Sequence, residues 1–379
     1  MQASGREPES AQAGERAYVI ERMRPDRMPG CAALLDTIFG GGIPLWLDRI
    51  DHWERNPHLG PDMPRGWTAT ASDGSLAGFM ANSPFAYVEP GGGRLYGFAA
   101  HSLAVLPEAR EAGVARRLVK AEFLEPCDFS LGSQLSPGGW AASLAGGGLA
   151  FEQPWMSDAR IVAADFGALA RLGAKGPAAL RAAAAAAANV AGRVAGAVER
   201  PVRGIDVEPI EAFDPIDDEA LGRMVTRKLP IRPLRDAETL NWLYFGTPHL
   251  RRSRLVLAAR RDGRLVGYAG LRRLPGWLVL LECRALPEET MAMKALIGSA
   301  QRWAKRERMS HILVYRVSDA LGDALPRLAT FRAPDHVRYP YLLVVKRPGL
   351  TADQLEIGPW DGDAIIADDA PALDQAPRV

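Results

Sequence analysis

A mixed α/β fold (α+β-like) in two lobes is what this sequence predicts, and three observations carry that reading. The chain has 379 residues, too many for one ordinary domain and enough for two that each bury a core. Consecutive strand patterns fill the middle of the first half, and strands alternate with helices toward its end. A short internal repeat then recurs, in the same order, in the second half. With 47% hydrophobic and 24% charged residues the composition is that of an ordinary folded protein, neither disordered nor membrane-embedded.

The elements follow in chain order. Residues 18–21 read as a strand, and Pro25 opens a helical stretch that runs to Phe39 and stops at Gly40-Gly41-Gly42. A second amphipathic run, 44–55, carries Leu45, Trp46, Leu47, Ile50 and Trp53 at helical spacing before Asn56-Pro57 ends it. Strand patterns at 67–71 and 76–81 flank Asp73-Gly74, a hairpin signal. After Gly91-Gly92-Gly93 come a long strand, 94–106, and a helix, 113–123. A short strand at 129–133, a loose small-residue helix at 138–148 and closing strands at 149–155 and 160–164 complete the first lobe.

An Ala-rich helix at 177–198 bridges the lobes; Arg181, Asn189 and Arg193 make it a poor membrane span. In the second lobe Asp262-Gly263-Arg264-Leu265-Val266-Gly267-Tyr268 repeats Asp73-Gly74-Ser75-Leu76-Ala77-Gly78-Phe79, and Arg284-Ala285-Leu286-Pro287-Glu288 echoes Ala104-Val105-Leu106-Pro107-Glu108. The expected division is a leader at 1–16, a first lobe at 17–165, a linker at 166–202, a second lobe at 203–347 and an acidic tail at 348–379.

Charge narrows the function classes. Lys and Arg total 46 against 45 Asp and Glu, so no global field draws the chain to nucleic acid. Cys31, Cys127 and Cys283 lie far apart, which fits a reducing compartment, and the six histidines lack metal-ligand spacing, so no metal is expected. The polar start has no signal-peptide core, and a cytoplasmic monomer or homodimer without membrane insertion is the expectation.

The chemistry concentrates where the long strand meets the helix that follows it. Arg110, Gly113 and Ala115 have the spacing Arg-x-x-Gly-x-Ala. A residue without a bulky side chain lets a diphosphate approach the backbone, and the amides at a helix N-terminus point at its oxygens. Neither G-x-G-x-x-G nor Gly-Lys-Ser/Thr is present, which excludes the usual dinucleotide and P-loop cradles. A turn followed by a capped helix is the alternative reading of the same residues.

With this cradle behind a long strand and a D-G hairpin, residues 17–165 resemble a GNAT (N-acetyltransferase) domain, and residues 203–347 resemble a degenerate copy. Phe151 sits where that family often has Gly-Phe. The resemblance implies two splayed mixed sheets flanked by helices and an acyl-CoA co-substrate, acetyl-CoA first. It implies that Leu103, Ala104 and Val105 bond the pantetheine arm, and that Arg110, Glu111, Ala112, Gly113, Val114 and Ala115 hold the pyrophosphate. In the second copy Glu288-Glu289-Thr290-Met291-Ala292-Met293 replaces the cradle, and its acidic residues would repel a diphosphate.

Acyl transfer to an amine needs a base, a polarised carbonyl and a proton for the leaving thiolate. His101 is the first candidate base, on the central strand with the parity of Leu103 and Val105; Glu89 and Asp128 are alternatives. The family's thiolate-protonating tyrosine is missing from 138–148, so water or Ser143 takes that role, or the lobe binds without turnover. Arg235, Asn241 and Tyr244 are candidates to face a small amine acceptor between the lobes, with core packing as the alternative for the aromatics beside them. The rival functions are a non-catalytic acyl-CoA-binding protein and an aminoacyl or long-chain acyl transferase acting on an envelope or polysaccharide precursor.

Overall fold

Glycines and short polar side chains punctuate the elements at the places where the chain must reverse. The computed structural model describes residues 18–133, 137–151, 153–168, 201–226, 229–333 and 341–359; the leader, most of the tail and the Ala-rich stretch 177–198 lie outside the described residues. Strand β1 (Tyr18–Arg22) leads into helices α1 (Met28–Phe39) and α2 (Ile43–Glu54). Between those helices Gly40 and Gly42 have φ of 72° and 91°, and Asp36 Oδ1 accepts from Gly42 N at 2.7 Å. Strands β2 (Gly66–Ala71) and β3 (Leu76–Val88) meet at Gly74, whose φ of 84° suits the tight turn. Next come β4 (Arg94–Val105), a single turn α3 (Pro107–Arg110), α4 (Val114–Leu124), β5 (Phe129–Ser133), α5 (Pro137–Gly146), β6 (Leu149–Phe151) and β7 (Ala159–Ala163).

The second half contains β8 (Asp206–Ile210), α6 (Asp218–Arg223), β9 (Arg232–Pro233), α7 (Ala237–Phe245), α8 (Pro248–Ser253), β10 (Arg254–Arg261), β11 (Arg264–Leu274) and β12 (Trp277–Ala285). It closes with α9 (Ala292–Arg306), β13 (His311–Tyr315), α10 (Asp319–Ala324), β14 (Thr330–Arg332) and β15 (Tyr341–Val345). Asp236 caps α7 by accepting from Thr239 N at 2.8 Å, which satisfies one orphan amide of its first turn.

Two mixed sheets form, with strand orders β1-β2-β3-β4-β5-β15-β6 and β8-β10-β11-β12-β13-β7-β14. Both follow one pairing pattern, antiparallel except for the parallel pairs β4·β5 and β12·β13. The repeated residues occupy matching places: Leu106 N donates to Ala77 O at 2.9 Å, and Leu286 N donates to Val266 O at 3.0 Å.

One strand from each half lies in the other half's sheet. The closing strand at 160–164 is β7, which pairs with β13 and β14, whereas β15 fills the gap between β5 and β6. The sequence divisions 17–165 and 203–347 therefore do not coincide with the sheets. An edge strand bonds to whichever neighbour offers free amides, and periodicity along the chain says nothing about that choice. The strand expected at 149–155 ends at Phe151, where Pro154 begins a 3₁₀ turn, and β3 continues to Val88, well past the expected Ala81. A continuous core joins the halves: Phe85, Tyr87 and Phe129 of the first sheet pack with Tyr244 and Leu243 of α7.

Candidate functional site

The first sheet opens at the middle of β4. Strand β5 pairs with it through Gly97↔Phe129, Phe98↔Ser130 and Ala99↔Leu131, and residues 100–105 continue without a strand partner on that edge among the described residues. Such an edge presents N–H and C=O groups to an extended ligand, as in strand addition. Leu103, Ala104 and Val105 all lie on this open arm. On the other edge β4 remains bonded to β3, with a register shift between Phe79↔Ala104 and Ala81↔His101. The extra residues form a bulge at Ser102, whose φ is 53°.

That bulge corrects the expected parity of His101. Ala104 packs with Trp53 and the other α1 and α2 residues, while Leu103 and Val105 pack with Val114 and Leu118 of α4. His101 stands on the α2 face, its ring 4.5 Å from that of Trp53 in an edge contact. Simple alternation fails here because one inserted residue moves every later side chain to the opposite face.

The open arm ends at Arg110–Ala115, the segment read from the sequence as a candidate cradle. Ala109 N and Gly113 N close successive turns on Leu106 O and Arg110 O, both at 3.0 Å, and Gly113 caps α4 in the left-handed region at φ 68°. The amides of Val114, Ala115 and Arg116 precede Arg117 N, which donates to Gly113 O at 3.1 Å. These are the amides a helix leaves without an intrahelical acceptor, and they sit at the positive end of its dipole. A Cβ on Gly113 would meet no atom within 4 Å, so the turn faces open space. Below it a Cβ on Gly78 would lie 3.0 Å from Val114 and 3.1 Å from Leu118; the absence of that side chain seats α4 closely on the sheet. Arg110 Nε donates to Val105 O at 3.1 Å, tying the cradle to the end of β4, while Arg110, Glu111 and Ala112 are exposed.

His101 is buried and has a hydroxyl at each nitrogen: Ser83 Oγ lies 2.9 Å from Nε2, and Ser102 Oγ lies 3.2 Å from Nδ1. Burial, reinforced by the charges of Arg49 and His52, pushes its pKa down to about 3. Ser143 is buried on α5, and its carbonyl accepts from Gly148 N at 2.9 Å. Glu89 and Asp128 lie at the other end of β4. Asp128 Oδ2 accepts from Tyr96 N at 2.7 Å, and Arg347 Nη1 lies 3.2 Å from Glu89 Oε2 and 3.9 Å from Asp128 Oδ1. These carboxylates hold the closed end of the sheet together.

Of the three acceptor candidates, Asn241 binds backbone: its Oδ1 accepts from Phe213 N at 2.7 Å and its Nδ2 donates to Phe213 O at 3.0 Å. Arg235 and Tyr244 converge on Glu282, a residue the sequence reading missed. Tyr244 OH and Tyr268 OH donate to Glu282 Oε1 at 2.8 and 3.0 Å, and Arg235 Nε and Arg284 Nε reach Oε2 at 3.2 and 3.1 Å. Arg284 also bonds Glu356 Oε1 at 2.8 Å. Burial works against the charge of Glu282, but Arg235 and Arg284 outweigh it and hold its carboxyl below the ordinary range. Both phenols are pushed well above theirs, first by burial and then by Glu282. The available signal was Glu282 and Arg284 interrupting an otherwise apolar strand.

The second sheet opens at the matching place, and its own chain bridges the gap. Strand β13 pairs with β12 only as far as Leu280, and beyond it Val225 and Ala285 exchange hydrogen bonds of 3.0 and 3.3 Å. Thr226 Oγ1 donates to Cys283 O at 3.0 Å, and Arg284 Nη1 to Met224 O at 3.4 Å. Where the first lobe has its cradle, Glu288 and Glu289 form ion pairs with Arg223 and Arg261, and α9 starts from Met291 with no glycine turn.

Among the described residues no group of three or more His, Cys, Asp or Glu is placed to hold a metal ion, and no helix is long and apolar enough to cross a membrane. No family model matches the sequence, and no curated protein does. Solved structures match the fold. A GCN5-related N-acetyltransferase from Anabaena variabilis ATCC 29413 superposes with a TM-score of 0.55 at 12% identity, over 87% of this chain and 73% of that one. A conserved protein from Enterococcus faecalis V583, described as a probable N-acyltransferase, gives a TM-score of 0.55 at 12% identity, over 87% and 72%. Saccharomyces cerevisiae N-myristoyltransferase with bound myristoyl-CoA gives 0.50 at 13% identity, over 89% and 82%. The chain has the GNAT fold.

Proposed function

We propose that this chain is an acyl-CoA-dependent N-acyltransferase that moves an acyl group directly from the thioester to the amine of a small molecule, amino sugar or amino-acid-like acceptor. One observation carries the reading: the unpaired arm of β4 runs straight into a glycine-turned set of helix N-terminal amides. An extended arm bonded to that edge would place a diphosphate at the cradle. The three named neighbours support it, since each is described as an N-acetyltransferase, a probable N-acyltransferase or an N-myristoyltransferase. Acetyl-CoA is the first co-substrate to try.

The second half is a duplicated lobe whose fork is filled by residues 224–226, and it serves as scaffold and acceptor-side wall. With both reactants held in one fork, positioning supplies much of the rate and no acyl-enzyme is needed. The rival reading, an acyl-CoA-binding protein without turnover, draws on the lack of tyrosine in α5. Calorimetry with acetyl-CoA and myristoyl-CoA, followed by thiol release on a panel of amines, tests both. One thioester per chain and amine-dependent thiol release are expected. Tight binding with no release on any amine would favour the rival, and no binding of either thioester would end the acyl-CoA reading.

A further inference from the structure

Strand β4 turns through one left-handed residue, and that residue bears a hydroxyl. Three non-glycine residues among those described have positive φ: Ser102 at 53°, Asp262 at 50° and Arg308 at 58°. Asp262 lies in the β10–β11 hairpin and Arg308 follows the end of α9, so of the three only Ser102 is inside a strand. The left-handed region is unfavourable for a non-glycine residue, and such strain persists where the surroundings impose it. The matching strand β12 also shifts register, between Gly270↔Glu282 and Leu271↔Leu280, and its extra residue Leu281 has no positive φ.

Three side chains are linked by hydrogen bonds, Ser83 to His101 and His101 to Ser102. Ser83 is fully buried, His101 is nearly so, and Ser102 is half-buried in the segment where β5 has parted from β4. The ring of His101 stays neutral and therefore carries one N–H. A neutral ring allows two arrangements of these contacts, and the one used here has the proton on Nδ1: the Ser83 hydroxyl donates to Nε2, and Nδ1–H donates to Ser102 Oγ. The Ser102 proton is then free of the imidazole, on a residue of the arm that β5 has left. Trp53, packed edge-on against the ring, fixes its plane.

We propose that Ser102 is a catalytic proton shuttle for acyl transfer, with His101 and Ser83 as positioning residues that aim its hydroxyl. This rests on the reading of the fork as an acyl-CoA site and supplies the acid that α5 lacks. The amine nitrogen bonds to the thioester carbonyl carbon and the carbon–sulfur bond breaks. Ser102 Oγ gives its proton to the departing sulfur and takes one from the amine nitrogen, so the products are an amide and a free thiol and the serine is unchanged.

The test compares full-length wild type with Ser102→Gly and Ser83→Ala, using acetyl-CoA and hydroxylamine as the surrogate amine. Ser102→Gly removes the hydroxyl while suiting the left-handed backbone, so its melting temperature should equal or exceed that of wild type. Its acetyl-CoA affinity and KM should stay within about twofold while kcat falls about 100-fold, the usual scale for a lost proton-transfer group. Ser83→Ala should lower kcat by less, also at unchanged KM. Wild-type kcat in Ser102→Gly overturns the shuttle, as does an acyl adduct on Ser102 by mass spectrometry. Binding without thiol release in wild type overturns it too, whereas a wild type that binds neither acetyl-CoA nor myristoyl-CoA sinks the acyl-CoA reading before any variant is compared.

Discussion

Gly113 and Gly74 make a matched pair that separates backbone strain from ligand exclusion. Both have positive φ, 68° and 84°, and a Cβ on either would meet no protein atom within 4 Å. Substituting alanine at either position therefore carries the same kind of penalty, about 1–2 kcal/mol for a left-handed L-residue. The two differ in what lies in front of them: Gly74 is at a hairpin tip, while Gly113 faces the amides at the start of α4. A Cβ there would hold a diphosphate away from those amides. Hydrogen bonds to a charged group are worth about 1.5–3 kcal/mol each, so losing one weakens binding by roughly 10- to 150-fold. Thermal melts and calorimetry with acetyl-CoA on Gly113→Ala and Gly74→Ala are the assay. Equal destabilisation is expected, with affinity lost only in Gly113→Ala. Acetyl-CoA affinity that is unchanged in Gly113→Ala, or lowered equally in both variants, would refute the assignment of the cradle.

Buried histidines make the fold sensitive to mild acid. Burial pushes His52, His58 and His311 down to about 4 and His101 to about 3. The unfolded chain takes up these protons near pH 6.5, so the stability they contribute is complete above that pH and is lost as pH falls toward 4. Each gives a slope of about 1.4 kcal/mol per pH unit. Glu122 acts in the opposite sense: burial raises it to about 8 against Lys346 and Ser130, so its contribution is full below pH 4.5 and lost as pH rises through 8. Four slopes against one leave about 4 kcal/mol per pH unit between pH 4.5 and 6.5. Urea midpoints should fall across that window; a flat response from pH 6.5 to 5 would contradict the neutral histidines. Glu282→Gln, which removes the carboxylate charge shared by Arg235 and Arg284 and leaves Arg284 paired with Glu356, should lower stability by about 3–5 kcal/mol in urea unfolding. Acetyl-CoA affinity in the first fork should be unaffected, and a loss of affinity without destabilisation would make Glu282 a ligand-binding group instead.

The sequence alone determined the order of the elements in the first half, the D-G hairpins and the repeat, and it marked Arg110–Ala115 as the candidate cradle. All of these are local: hydrophobic period, glycine at a positive-φ turn and helix-start chemistry act within a few residues. Only the tertiary structure decided the rest. The bulge at Ser102 moved His101 to the α2 face, because one inserted residue inverts every side chain beyond it. The exchange of β7 and β15 depended on which edge each strand met, and a strand's own pattern does not encode its partner. Asn241, Arg235 and Tyr244 were singled out from the sequence, but their partners Phe213 and Glu282 lie 28 to 47 residues away along the chain. Residues 224–226 entered the second fork because its unpaired amides required an acceptor and the chain supplied one.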